Sequence, residues 1–255
     1  MYIDTHCHID DKRYTDIDSV INEYLRDGIT KVINVGCNVK SSIDGKNLAE
    51  KYDSVYFAAG FHPSDINDFN DSSLNKIIKL LSHKKCVAVG EIGLDYHWEP
   101  YDKDLQQKGF IKQLEIAKEY KLPVSVHLRD ATEDAVKLLK DNKDKLTYGG
   151  VLHCYSGSVE TAKILLDLGF YIGFGGTLTF KNANKLLDVA RYVPIDKCLT
   201  ETDSPYLAPH PYRGETNTPK HIPLVVYKLA DLKGVSMEEM AKAVYNNAHE
   251  LFKKL

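Results

Sequence analysis

The chain has 255 residues, 43% hydrophobic and 27% charged, which suits a globular protein with a sizeable core and excludes disordered and fibrous classes. Lys plus Arg number 33 against 36 for Asp plus Glu, a formal net charge of -3, so a strongly basic protein gripping a long track of duplex DNA is excluded. No apolar run approaches membrane-span length, Met1 to His8 already read as structure rather than as a signal peptide, and five scattered cysteines without a C-x-x-C pair suit a reducing compartment; a cytoplasmic protein is expected.

Eight short apolar runs begin near Tyr2, Lys31, Val55, Cys86, Pro123, Gly150, Tyr171 and Lys197, at intervals of 21 to 37 residues. Most are near-continuously apolar, as strands covered on both faces must be. Helical stretches lie between them. Over Leu105–Tyr120, Phe110, Ile111, Leu114 and Ala117 share one face. Ser158–Leu168 has Ser158 as N-cap and Gly169 as its stop, and Ser236 with Glu239 forms a capping box before the last helix. Eight strand–helix units of this period predict one (β/α)8 TIM barrel spanning residues 1–255, with the doubly wound sheet as the rival.

In such a barrel the active site gathers where the strands end. The first run ends in Asp4-Thr5-His6-Cys7-His8, the fourth in Glu91, the fifth in His127, the sixth in His153, and the eighth in Asp203. His6 and His8, two apart, face the same way, and paired imidazoles suit zinc or another transition ion; alone such a pair reads rather as structural, and the polar residues at the other strand ends reverse that reading. Buried among apolar residues, Glu91 must be paired or metal-bound, and a carboxylate bridging two cations is the sharper reading. Asp203 can bind metal and take a proton from water, or simply cap a turn; Glu201 shares its facing as a supporting group. Alternation turns Cys7 and Cys154 away from the site as buried thiols, and Gly173–Gly176 reads as a close backbone approach. The cluster Tyr96-His97-Trp98 is either a lid over the core or a base-stacking platform.

These residues resemble the TatD family of metal-dependent deoxyribonucleases, within the amidohydrolase-like barrels, essentially end to end. The likeness runs through Asp4-Thr-His6-Cys-His8, Gly60-Phe-His62-Pro63, Gly90-Glu91-Ile-Gly-Leu-Asp95-Tyr96, His127-Leu-Arg129-Asp130-Ala131, His153-Cys-Tyr-Ser156-Gly157, Glu201-Thr-Asp203-Ser-Pro205-Tyr206-Leu207, Pro211-Tyr-Arg213-Gly214-Glu-Thr-Asn217 and Asn247-Ala-His-Glu-Leu251-Phe252. The resemblance implies two divalent metal ions per chain, zinc, manganese or magnesium. One is held by His6, His8, Glu91 and Asp203, the other by Glu91, His127 and His153. It places His62, Arg129, Ser156, Tyr206, Arg213 and Asn217 near a substrate phosphate.

The expected activity is hydrolysis of DNA phosphodiester bonds by a two-metal-activated water, exonucleolytic at single-stranded or frayed ends, with Asp203 and Glu91 as catalytic groups. Hydrolysis of an amide, a lactone or an aminoacyl ester on the same metals is the alternative, and a non-catalytic metal-binding or interaction protein is a third reading. No membrane and no obligate protein partner is expected.

Overall fold

The computed structural model describes residues 1–255, and in it each apolar run becomes a strand within two residues of its expected start. The strands are β1 (Tyr2–Cys7), β2 (Ile29–Val35), β3 (Val55–Ala59), β4 (Cys86–Asp95), β5 (Val124–Arg129), β6 (Gly150–Leu152), β7 (Phe170–Phe174) and β8 (Cys198–Thr200). They pair in parallel in sequence order, β1 to β8. The helices are α1 (Ile17–Arg26), α2 (Val39–Lys51), α3 (Asp71–Leu81), α4 (Lys103–Tyr120), α5 (Thr132–Asp141), α6 (Val159–Asp167), α7 (Asn184–Tyr192), α8 (Ile222–Lys233) and α9 (Met237–Leu251). This is the expected (β/α)8 barrel with one helix more than its eight units need.

The ring closes between β1 and the segment that follows β8. The amide of His8 donates to the Ser204 carbonyl at 2.7 Å, and that of Asp203 to the His6 carbonyl at 2.9 Å. Beneath them the fully buried Asp4 carboxylate accepts from the Thr202 amide at 3.0 Å, the Thr202 hydroxyl at 2.5 Å and the His6 amide at 3.2 Å. The bonds that complete the barrel therefore set His6 and His8 beside Asp203.

Apolar packing occupies two layers. The larger cluster lies between strands and helices and includes Val32, Phe57, Val89, Phe110, Phe170 and Val189. A smaller inner cluster joins Ile3, Ile33, Val87, Val151 and Leu199 to Ala248, Leu251 and Phe252, so the last turn of the extra helix, α9, packs on the barrel interior while its Met240, Ala241 and Val244 pack in the larger cluster.

Local signals held with small shifts. Asp102 caps α4 through the Leu105 amide, starting that helix two residues before the apolar periodicity shows it. Ser158 caps α6 and Gly169 follows it at φ 90°. At α9, Ser236 accepts from the Glu239 amide, but no bond returns from the Glu239 carboxylate, so only half of the expected box forms. The largest departure is in β4. Glu91 does not end the strand; after it the chain pairs with β5 as far as Asp95. Val89 lies opposite Val124 but Ile92 opposite Val126, so three steps on β4 face two on β5, a bulge at Gly90–Glu91.

Thr202→Val should leave the buried Asp4 carboxylate short of a donor and lower unfolding stability by about 1–3 kcal/mol. Denaturant unfolding of the metal-free protein reads this; an unchanged midpoint would mean that the closure does not depend on the hydroxyl.

Candidate metal centre

The bulge in β4 aims Glu91 into the barrel mouth, where it is 3% exposed. Its two oxygens face different partners. Oε1 lies 2.9 Å from His127 Nδ1, 2.8 Å from His153 Nε2 and 3.5 Å from His62 Nε2. Oε2 lies 3.5 Å from His6 Nε2 and 3.8 Å from His8 Nε2. On the Oε2 side, His6 Nε2 and His8 Nε2 are 3.3 Å apart, and Asp203 Oδ1 is 3.8 Å from the first and 3.5 Å from the second. Four donors around a tetrahedral ion with bonds of about 2.0–2.1 Å stand about 3.3 Å apart, so this spacing suits a divalent transition ion. On the Oε1 side, His127 Nδ1 and His153 Nε2 are 3.2 Å apart, a second donor set of compatible spacing.

The remaining ring nitrogens show how the donors are aimed. His8 Nδ1 donates to the Val35 carbonyl at 2.8 Å, leaving Nε2 for the cluster. His6 Nδ1 is 3.3 Å from Ser125 Oγ. His127 Nε2 meets Asp95 Oδ2 at 3.0 Å, and Asp95 is itself held by the His97 amide at 2.9 Å. His153 Nδ1 has no hydrogen-bond partner; Glu201 Oε1 stands 3.8 Å away. Glu201 is wholly buried, accepts from the Cys154 amide, and fits because residue 173 is glycine: a Cβ there would lie 2.5 Å from Glu201 Oε2.

Burial and neighbours divide the protons. Burial pushes His6 and His62 down to about 4, so both rings keep a free lone pair through the neutral range. Burial also opposes charge on His127, but Asp95 and Glu91 outweigh it and raise that ring to about 9. Burial alone would raise Glu91; the His153, His62 and His127 rings around it hold it well below the usual carboxylate range. Asp203 is likewise held low against its burial by His8, His153 and His6, whereas burial lifts Glu201 well above its ordinary value.

The six expected ligands thus converge. The residues expected at a phosphate divide. Arg129 and Ser156 line a cavity whose floor includes His127, His153 and Asp203. Tyr206 is 49% exposed on the opposite side, its ring 4.1 Å from the Arg13 guanidinium and 6.4 Å from the His8 ring. His62 lies nearer the ligand cluster than expected, 4.4 Å ring to ring from His127. Arg213 stacks on Phe180 at 3.7 Å. Asn217 cannot touch a substrate as arranged here: it is fully buried, and its amide donates to the Thr202 and Tyr206 carbonyls at 2.9 and 2.7 Å while its oxygen accepts from Thr218 and faces His221. It braces the loop that carries Asp203.

Cys7 is buried as expected, but Cys154 is not turned away. β6 stops at Leu152, Cys154 takes a left-handed φ of 44°, and it lines the mouth cavity. Tyr96 is no free platform, since its hydroxyl donates to Asp134 at 3.0 Å and its ring stacks on Tyr101; Trp98 beside it is 63% exposed. Two residues were not anticipated in these positions. Asp95 lies four residues past Glu91 with nothing in the sequence to mark it as a partner of His127, and Cys37, past the end of β2, places its thiol 3.6 Å from Glu91 Oε2 with no spacing signal to announce it.

The model of the TatD-related DNases matches residues 3–253 of this chain. The chain belongs to the TatD-related DNase family. It is 41% identical over 254 residues to the uncharacterized metal-dependent hydrolase YabD of Bacillus subtilis, covering 99% of each chain. The uncharacterized metal-dependent hydrolase YcfH of Escherichia coli K12 is also 41% identical, with 98% of this chain and 95% of that protein covered. Among solved structures, YjjV, a TatD homolog from Escherichia coli K12, superposes with a TM-score of 0.94 at 34% identity over 99% of this chain and 98% of its own. A TatD-family hydrolase from Entamoeba histolytica gives 0.87 at 25% identity, covering 100% and 98%. The matched range includes every strand end that carries a candidate ligand.

Because one carboxylate faces both donor sets, Glu91→Ala should lose most bound metal from both, whereas His153→Ala should empty mainly the His127 side. Metal analysis per chain checks this, and full occupancy in Glu91→Ala would sink the shared-carboxylate geometry. A proton on His127 competes with a cation, so affinity at that side should climb with pH up to about 9. In Asp95→Asn the climb should end at lower pH and the plateau should fall about 10–100-fold. Calorimetric metal titration over a pH series distinguishes the two proteins; superimposable profiles would exclude Asp95 from the role.

Proposed function

We propose that this chain is a metal-dependent hydrolase that cleaves phosphodiester bonds of DNA, acting from single-stranded or frayed ends. The observation that carries the reading is the carboxylate of Glu91, with one oxygen toward His6, His8 and Asp203 and the other toward His127 and His153. In this reading His6, His8, Glu91 and Asp203 hold one divalent ion, and Glu91, His127 and His153 hold a second. When bound, such a pair supplies Lewis-acid polarisation and positive charge to the attacking and leaving oxygens of an in-line displacement.

The chain's own groups do the rest. Asp203, held low and therefore ionised at neutral pH, orients the attacking water and accepts its proton. Its backbone sits at φ 53°, braced by the Asn217 amide on the neighbouring carbonyls, so the carboxylate is aimed before substrate arrives. Arg129, at the cavity edge, neutralises a phosphoryl oxygen. Tyr206, half-exposed at the rim with Arg13 over one face of its ring, offers the other face to a frayed base. With a net charge of -3, attraction for the strand is concentrated at the mouth, which favours a chain end over a long duplex track.

The test removes metal by chelation, restores zinc, manganese or magnesium singly, and follows end-labelled linear DNA, single-stranded DNA and a closed circle beside a panel of amides and esters. The expected result is metal-dependent release from ends, a shallow salt dependence, and an Asp203→Asn protein that keeps its fold but loses about 10²–10⁴-fold in rate. Rapid cutting of the circle would overturn action from ends. Turnover confined to amides or carboxylic esters would replace the phosphodiesterase reading with carbonyl hydrolysis.

A further inference from the structure

The mouth is lopsided. On the β5–β7 side of the donor cluster lies a cavity of about 680 Å³, within the roughly 300–1,000 Å³ of small-molecule sites, with His127, His153 and Asp203 on its floor. Across the mouth, Tyr206 and Arg13 stand at an open rim. We propose that this cavity is a nucleoside subsite, seating the single nucleoside on one side of the scissile phosphate while the rest of the strand leaves over the Tyr206 side. The proposal rests on the phosphodiesterase reading above and adds to it which part of the substrate is recognised.

The lining selects the class of ligand. Phe180, Leu186 and Leu207 give the walls apolar faces, Arg129 and Lys185 bring two cations, and Asp203 on the floor is the only carboxylate. An inorganic anion would leave the apolar walls wet; a neutral apolar molecule would leave both cations unused. A flat base carrying a sugar phosphate satisfies both, with the ring against Phe180 and the phosphate over the floor. The walls are also built in advance, which reduces the ordering that binding must pay for. Arg213 stacks on Phe180 at 3.7 Å. The loop after β7 is tied to the loop after β8 by the His210 amide donating to Thr179 Oγ1 at 2.8 Å. Gly176 packs so tightly on the Leu207 carbonyl that a Cβ there would overlap it. Arg213, expected at the phosphate, thus acts on the base side by holding the ring.

The metal-loaded full chain is titrated calorimetrically with thymidine and deoxyadenosine monophosphates, phosphate at either sugar position, and with deoxyribose phosphate, and end-labelled oligonucleotide cleavage is followed on the same preparation. The nucleotides should bind at least about fivefold more tightly than the sugar phosphate, the low end of base-on-aromatic stacking. That preference should vanish in Phe180→Ala, and also in Ala183→Trp, which fills the cavity instead of emptying it and so guards against a loop that collapses in the first variant. Equal affinities in the wild-type protein, or a preference kept by both variants, would overturn the subsite. Oligonucleotide cleavage without a base-dependent preference discards the subsite and keeps the phosphodiesterase; a preference lost in both variants without cleavage keeps the subsite and discards the reaction.

Discussion

A carboxylate 3% exposed, in the middle of a strand whose ten residues are all buried, cannot remain ionised without compensation, and this constraint on Glu91 organises the mouth of the barrel. Compensation arrives from four other places in the chain: His6 and His8 from β1, His62 from the turn after β3, His127 from β5 and His153 from the end of β6. His62, just past β3, and His127, on β5, come from either side of β4, whereas closure of β1 against the segment after β8 brings Asp203 beside His6 and His8, so closure and the bulge that turns Glu91 inward together complete the donor set. The outer nitrogens of the same histidines are then aimed by ordinary backbone and carboxylate partners, Val35 for His8 and Asp95 for His127. A rigid frame with its charges placed beforehand results, and the loops above it are left to choose what enters.

Much of this could be read from the chain alone, for a physical reason. Strands covered on both faces must be apolar, so a histidine or carboxylate at the end of such a run stands out, and that contrast picks out His6, His8, Glu91, His127, His153 and Asp203. The contrast fails where backbone geometry decides. The β4 strand continues past Glu91 because the bulge absorbs one residue and returns Ile92 and Leu94 to buried positions, an event with no compositional mark. Cys154 and Asp203 both take left-handed backbone after short strands, so the alternation that seems to turn Cys154 away no longer applies. Asn217 sits in a motif whose neighbours are expected at a substrate phosphate, yet its short amide reaches two carbonyls and disappears inside the loop it braces. Cys37 carries no pattern at all; its place beside Glu91 depends on where β2 stops.

The last helix and the first strand share the inner cluster: Phe252 and Leu251 pack with Ile3, and Asp4 is bonded to Thr202. These contacts join residues far apart in the sequence, so none can form until its later partner has been made. During synthesis β1 can pair with β2 soon after both are made, with the Val35 carbonyl accepting from His8, but its contacts with Asp203 and with Leu251 must wait for segments far along the sequence. Such distant pairings are slow to form and leave intermediates with open strand edges. The donor set that straddles β1 and the segment after β8 is therefore among the last features to assemble, and a half-made chain holds no complete version of it to capture metal ions from the cell.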